Sequence, residues 1–204
     1  MKFKVINPKL KYIDLFCGIG GFHQALSKLG AKCVLACDID KACRNVYKLN
    51  YGIDPVEDVK KIDEKSLMDF DIICGGFPCQ SFSNAGKKKT FNDSRGLLFD
   101  EIIRIAKHKK PKFMFLENVK HILKVGNGTV IEYIKKKIDE TGYVLQLFEM
   151  SPHNYGIPQQ RERVYFICVR KDIYKSPVEL IHPKTDEIKF EDFLDQKDDI
   201  NEKY

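Results

Sequence analysis

Apolar residues occur along the chain in short blocks separated by polar, glycine-bearing joints, and a strand-like period alternates with a helical one. Residues 12–16 predict a first strand, and 20–29, following a glycine turn, predict a helix. Residues 32–37 predict a second strand ending on Asp38, and 41–49 a helix with Ala42, Val46 and Leu49 at helical spacing. Residues 56–59 are a candidate short third strand, and 71–74 a buried fourth, stopped by Gly75-Gly76. Residues 96–107 place Leu98, Ile102, Ile103 and Ile105 on one helix face, and 113–116 predict a fifth strand ending in Glu117-Asn118. A further helix is expected over 130–138, closed by Thr141-Gly142. Residues 143–150 and 164–169 read as strands with no helical pattern between them, so they are expected to form an antiparallel end to the sheet.

Repeated strand–helix units predict an α/β fold: a doubly wound, mostly parallel sheet with helices on both faces and an antiparallel strand near its C-terminal end. Ligands on such sheets sit beyond the carboxyl ends of the strands. The unusual residues fall at those ends: 16–21, Asp38, Asp58, Pro78-Cys79 and Glu117-Asn118. Their coincidence predicts one shared site. After Arg170 the chain turns polar and weakly periodic, apart from a candidate short helix at 190–194. Residues 1–170 are therefore expected to be one domain, and 171–204 a polar tail or a truncated connection.

Composition adds limits. At 204 residues, 43% hydrophobic and 31% charged, the chain suits one globular domain with a sizeable core. No apolar run is long enough to span a bilayer and the N-terminus has no signal-peptide core, so a cytoplasmic protein without a membrane partner is expected. The net charge of +6 suits a polyanionic partner, but the lysines are spread along the whole chain, so charge alone does not identify one. The seven cysteines include no Cys-x-x-Cys pair, and no histidine stands at zinc-finger spacing from Cys33 and Cys37. No metal site is expected, and buried reduced thiols are the expectation for most cysteines. Cys79 is the exception.

Four constellations carry candidate chemistry. The first, Asp14 to Gly21 (DLFCGIGG), lies between a strand and a helix, where glycines let a ligand approach backbone at a helix N-terminus. A dinucleotide fingerprint starting at Gly18 requires glycine at position 23, where His23 stands, and this disfavours a nicotinamide cofactor. Asp38 ends the next strand, where an acid can accept hydrogen bonds from ribose hydroxyls. The second is Gly75-Gly76-Phe77-Pro78-Cys79-Gln80, which holds a cysteine out of the core in a strand-end loop, poised for nucleophilic work. The third is Glu117-Asn118-Val119, with an acid at a strand end. The fourth is Gln159-Gln160-Arg161-Glu162-Arg163, whose alternate residues Gln159, Arg161 and Arg163 are expected to share one face of a strand. Taken singly, each has a plainer reading: a tight turn, a structural thiol, a surface acid, a solvated charged edge.

Taken in order, these words resemble the bacterial DNA cytosine-C5 methyltransferase family: Phe16-x-Gly18-x-Gly20-Gly21, Pro78-Cys79-Gln80, Glu117-Asn118-Val119 and Gln159-x-Arg161-x-Arg163. Asp93-Ser94-Arg95-Gly96 and Asn154-Tyr155-Gly156-Ile157-Pro158 fit as well, so the resemblance runs from about Lys11 to Arg170. It implies an S-adenosylmethionine-dependent enzyme acting on double-stranded DNA with a flipped cytosine. Cys79 would be the nucleophile that adds to C6 of the base. Glu117 would hold N3, working best with a raised pKa, and Arg163, with Arg161 nearby, would position the base through O2. Asn118 would be a scaffold for the glutamate. In the cofactor pocket Phe16 would lie against adenine, while Gly18 and Gly20, with Gly21 in the same turn, would admit the methionine portion. Asp38 would bind ribose, Asp58 with Val59 would meet the adenine edge, and Pro78 and Leu98 would touch the cofactor through backbone atoms.

The resemblance stops where family members carry a target-recognition domain and a closing helix: nothing after Arg170 resembles these. The expected enzyme is therefore one subunit of a split methyltransferase, completed by a second polypeptide, or a truncated restriction-modification methyltransferase. The alternatives are a non-catalytic cofactor- or DNA-binding remnant and a tRNA-directed relative.

Overall fold

Strand β1 (Lys11–Leu15) is closed off on both faces, with Tyr12, Ile13, Asp14 and Leu15 all inaccessible to solvent, as befits a strand inside a covered parallel sheet. A computed structural model describes residues 10–78 and 98–180, and all structural statements concern these. The chain continues through α1 (Gly21–Lys28), β2 (Lys32–Cys37), α2 (Lys41–Tyr51) and β3 (Ile72–Gly76). There follow α3 (Leu98–Lys109), β4 (Phe113–Val119), α4 (Thr129–Glu140), β5 (Tyr143–Met150) and β6 (Arg163–Arg170). The strands form one sheet in the order β2-β1-β3-β4-β6-β5. All pairings are parallel except those of β6, which runs antiparallel to both β4 and β5. The predicted doubly wound sheet with an antiparallel end is what forms.

Alternation along the strands separates two cores. Tyr12, Cys33, Ile72 and Cys74 face one side and pack with Leu26 of α1 and Tyr47 of α2. Ile13, Leu15, Ile73, Met114 and Leu116 face the other and pack with Phe99, Ile102 and Ile103 of α3 and Ile134 and Ile138 of α4. Helix α2 starts where the Asp40 carboxylate accepts the backbone N–H groups of Ala42 and Cys43, and it stops at Gly52, whose φ of 69° is left-handed.

Three expectations fail locally. Gly75-Gly76 does not stop the strand expected at 71–74 but forms its last two residues, paired with Leu116 and Glu117. Residues 56–59 do not make a strand: Val56 forms a single bridge to Cys37, and a turn of 3-10 helix, Val59–Lys61, follows. The Asp58 carboxylate caps that turn by accepting from the Lys60 N–H at 2.9 Å, which offers the backbone a local partner in place of a sheet ladder. Nor do Gln159, Arg161 and Arg163 share a strand, since β6 begins only at Arg163. Residues ahead of it include Pro158, and the Arg161 N–H is taken by the Ser151 hydroxyl at 3.0 Å. The candidate helix at 190–194 and the words 79–83 and 93–96 lie outside the described residues. Among the described residues no helix is long and apolar enough to cross a membrane.

Candidate active site

The turn after β1 is built from backbone conformations that side chains rarely adopt. Phe16, Gly18 and Gly20 have φ of 56°, 52° and 98°. An aromatic residue in the left-handed region is strained, and such strain persists where a site needs it. The Cys17 N–H donates to the Cys37 carbonyl at 3.0 Å, and the Gly20 N–H closes the turn on the Cys17 carbonyl at 2.9 Å. Asp38 lies across from it: one carboxylate oxygen accepts the Gly18 N–H at 2.7 Å and the other the Asp40 N–H at 2.9 Å. Arg44 donates to the Asp38 and Ile39 carbonyls at 2.9 and 2.8 Å. The glycine turn and the acid ending β2 are thus one hydrogen-bonded unit. On the neighbouring strand, a Cβ at Gly75 would stand 2.8 Å from the Leu15 carbonyl oxygen and 3.5 Å from the Phe16 ring, so glycine is what lets β3 lie this close.

Beneath the turn lies a residue to which sequence reading gave no role. Asp14 is fully buried; Tyr47 donates to one of its oxygens at 3.4 Å, and the other has no hydrogen-bond partner among the described residues. Burial raises its carboxyl to about 8, only partly offset by the Tyr47 hydroxyl and the backbone of His23. The signal available in the sequence was an acid inside a strand whose neighbours are all apolar.

The second half of the site joins β3, β4 and β6. Glu117 and Arg163 meet as an ion pair, Nε to Oε1 at 2.6 Å, with both side chains largely buried. Register explains the encounter: Val119 pairs with Arg163 and Glu117 with Tyr165, two rungs apart and on one face of the sheet, so the pair is a same-face diagonal. On its other side Glu117 pairs with Gly76, where a Cβ would stand 3.2 Å from the carboxylate. Asn118 is buried; its amide donates to the Phe77 carbonyl at 2.8 Å and its oxygen accepts the Val119 N–H at 2.8 Å. It thereby pins the end of β4 to Phe77-Pro78. Tyr165, unnoticed in the sequence, stands opposite Glu117, with its phenol pushed up by burial and then by the Glu117 charge.

The remaining predicted residues divide. Leu98 starts α3 and packs on the core. Val59 is buried in the core and its carbonyl accepts from Arg104 at 3.1 Å, while the Asp58 side chain is engaged as a cap. Pro78 ends the described stretch after β3, and Gly21 opens α1. Arg161 is exposed and makes no ion pair among the described residues, so it is not brought to Glu117 as Arg163 is. Cys79 lies outside the described residues.

The other six cysteines are described, and all are free thiols; Cys17, Cys33, Cys37, Cys74 and Cys168 are buried and Cys43 is partly exposed. Burial pushes every one of them above the ordinary thiol range, Cys37 to about 12. Since the thiolate is the nucleophile, these six are poor candidates for covalent chemistry.

A family model described as C-5 cytosine-specific DNA methylase matches residues 10–203. The type II methyltransferase M.HhaI of Haemophilus parahaemolyticus is 47% identical over 164 residues, covering 80% of this chain and 50% of that protein. The type II methyltransferase M.DsaV of Dactylococcopsis salina is 35% identical over 200 residues, covering 97% of this chain and 56% of that protein. Among solved structures, the S. pombe Dnmt2 methyltransferase superposes with a TM-score of 0.69 at 27% identity, over 83% of this chain and 53% of that one. The chain spans about half the length of the curated relatives it matches. The family's methyl donor is S-adenosylmethionine. With the match running nearly end to end over the fold and both halves of the site, the chain belongs to the C-5 cytosine-specific DNA methylase family.

Proposed function

We propose that this chain carries the catalytic half of an enzyme that methylates C5 of cytosine in double-stranded DNA. The observation that supports this most directly is the Glu117–Arg163 pair, held by Asn118 against the strand end that leads into Pro78-Cys79. A carboxyl group that can give up a proton and a guanidinium, fixed side by side with both side chains largely buried, suit the edge of a pyrimidine, whose ring nitrogen and carbonyl oxygen both accept hydrogen bonds. Glu117 gives a proton to N3 of the flipped base as the ring is attacked, and Arg163 donates to O2 and balances the charge that remains. Cys79 adds its thiolate to C6, making C5 nucleophilic; once C5 carries the methyl group, loss of its proton expels the thiolate.

The glycine turn suits the cofactor. Among the described residues, chain neighbours and the backbone of α1 aside, no atom lies within 4 Å of where a Cβ would stand on Gly18 or Gly21. Asp38, although it accepts two backbone N–H groups, keeps lone pairs for two ribose hydroxyls. When bound there, S-adenosylmethionine supplies an electrophilic methyl group. Phe16 offers a ring face to adenine, Gly18 and Gly20 take the methionine end, and Asp58, Val59, Pro78 and Leu98 form the remaining wall.

Sequence choice is assigned to the half of the relatives' length that this chain does not span, whether on the same polypeptide or on a second one. Reading bases requires side chains at the groove edges, and extruding one costs roughly a few kcal/mol. The test is duplex DNA carrying 5-fluorocytosine, offered with S-adenosylmethionine to these 204 residues together with the remaining half. A covalent adduct surviving denaturation and mapping to Cys79 is expected. An adduct at another residue, or none, overturns the assignment.

A further inference from the structure

The glycine turn is braced from behind by two tyrosines one turn apart on α2. The Tyr51 hydroxyl donates to the Gly20 carbonyl at 3.2 Å. A Cβ on Gly20 would stand 2.2 Å from the Tyr51 ring, so that ring fills the space any side chain at position 20 would need. Tyr51 is itself clamped. Its ring stacks on His23, with centroids 3.9 Å apart and planes 19° from parallel, and it meets the Tyr47 ring at 4.8 Å. The Tyr47 hydroxyl is hydrogen-bonded to His23 Nδ1 at 2.7 Å and donates to Asp14 at 3.4 Å. Tyr47 and Asp14 are fully buried, so the stack is anchored in β1.

The Gly20 carbonyl also accepts the Gln24 N–H at 2.9 Å, the first bond of α1, so Tyr51 acts at the joint where turn becomes helix. Glycine at φ 98° has no side chain to hold its place, and the ring and hydroxyl of Tyr51 leave it one position where it would otherwise sample several. Backbone that is already in its bound place binds without the cost of being ordered.

We propose that Tyr51 is a positioning residue for the cofactor, setting the Gly18–Gly20 backbone against the methionine end of S-adenosylmethionine and leaving the adenosine end unaffected. The proposal rests on the reading that this turn holds that cofactor, and it adds a residue, on a different helix, that tunes one end of the ligand.

The experiment is calorimetry on the full chain with two ligands, S-adenosylmethionine and 5′-methylthioadenosine, which lacks the amino-acid portion. Tyr51→Phe keeps the ring and removes the hydroxyl; it is expected to weaken S-adenosylmethionine binding about fivefold, the worth of one hydrogen bond, with methylthioadenosine affinity and melting temperature unchanged. Tyr51→Leu, which also removes the stack, is expected to weaken the first ligand further and still spare the second. Equal affinity of the unmutated chain and Tyr51→Phe for S-adenosylmethionine overturns the proposal. So does an equal loss for both ligands, which marks a merely structural role. Failure of the unmutated chain to bind either ligand overturns the reading of the turn itself, and the proposal with it.

Discussion

Arg163 Nε and Glu117 Oε1 lie 2.6 Å apart, on neighbouring strands that run in opposite directions and leave the two residues 46 positions apart in the chain only one diagonal step apart in the sheet. Parallel strands alone would not produce this contact at the carboxyl end of β4. It is the reversed β6 that brings the start of one strand to the end of another, so that an arginine entering the sheet meets a glutamate leaving it.

Breaking that pair should separate catalysis from cofactor binding. Glu117→Gln in the completed enzyme is expected to lower the rate of methyl transfer by about 10²–10⁴, the usual worth of a positioned acid–base group. Arg163→Lys, which keeps the charge but loses the planar fork, should fall between the unmutated enzyme and Arg163→Ala. Single-turnover kinetics beside a calorimetric affinity for S-adenosylmethionine check both statements; a rate loss that tracks a loss of cofactor affinity would contradict them.

Cysteine chemistry should be confined to one position. Cys79→Ser is expected to abolish methyl transfer and adduct formation. Serine at any of Cys17, Cys33, Cys37, Cys43, Cys74 or Cys168 should leave the adduct intact, because the five buried thiols are held protonated in the core and Cys43, partly exposed, is also held above the ordinary thiol range. Losses at the buried positions should appear as lower melting temperature. Mass spectrometry of the trapped species on each variant is the measurement.

Asp14 should make stability depend on pH. Burial pushes its folded carboxyl up to about 8, whereas an unfolded aspartate titrates at about 4. Between these values the folded protein holds a proton that the unfolded chain has released, so stability is full below the lower value and declines as pH rises towards the upper one. The slope is at most about 1.4 kcal/mol per pH unit. Urea unfolding at about pH 5 and about pH 7.5 should show the decline in the unmutated protein and a flatter profile in Asp14→Asn. Parallel profiles would show that Asp14 does not titrate in this window.

Asn118 should matter without touching substrate. Asn118→Ala removes the bond to the Phe77 carbonyl, at an expected cost of about 0.5–1.5 kcal/mol, the net worth of one hydrogen bond. Phe77-Pro78, just past the Gly76–Glu117 pairing, then loses this side-chain tie to β4. The variant is expected to lose transfer rate while keeping S-adenosylmethionine affinity, and chemical denaturation run beside single-turnover kinetics separates the two effects.

Much of this was legible in the order of residues. The strands at 32–37 and 143–150 come out with the predicted bounds, because apolar blocks of that length between glycine and polar joints have few other ways to be buried. The glycine turn, Asp38, Glu117 and Arg163 were likewise marked by residue type and position at strand ends. Local pattern misled where local hydrogen bonds competed with the sheet: Asp58 caps a 3-10 turn, and the Ser151 hydroxyl takes the Arg161 N–H before β6 begins.

What the linear chain determined by itself was therefore the alternation of elements, the class of fold and the short words on which the proposed chemistry rests, since these depend on periodicity, turn residues and side-chain type. Only the tertiary structure decided that Arg163 and not Arg161 meets Glu117, because that choice depends on the register of β6 against β4. It alone decided that Asp14 is a buried acid and that Tyr51 occupies the space Gly20 leaves empty. Such facts rest on which side chains are deprived of water and which backbones approach closely, and both are properties of packing between segments far apart in the chain.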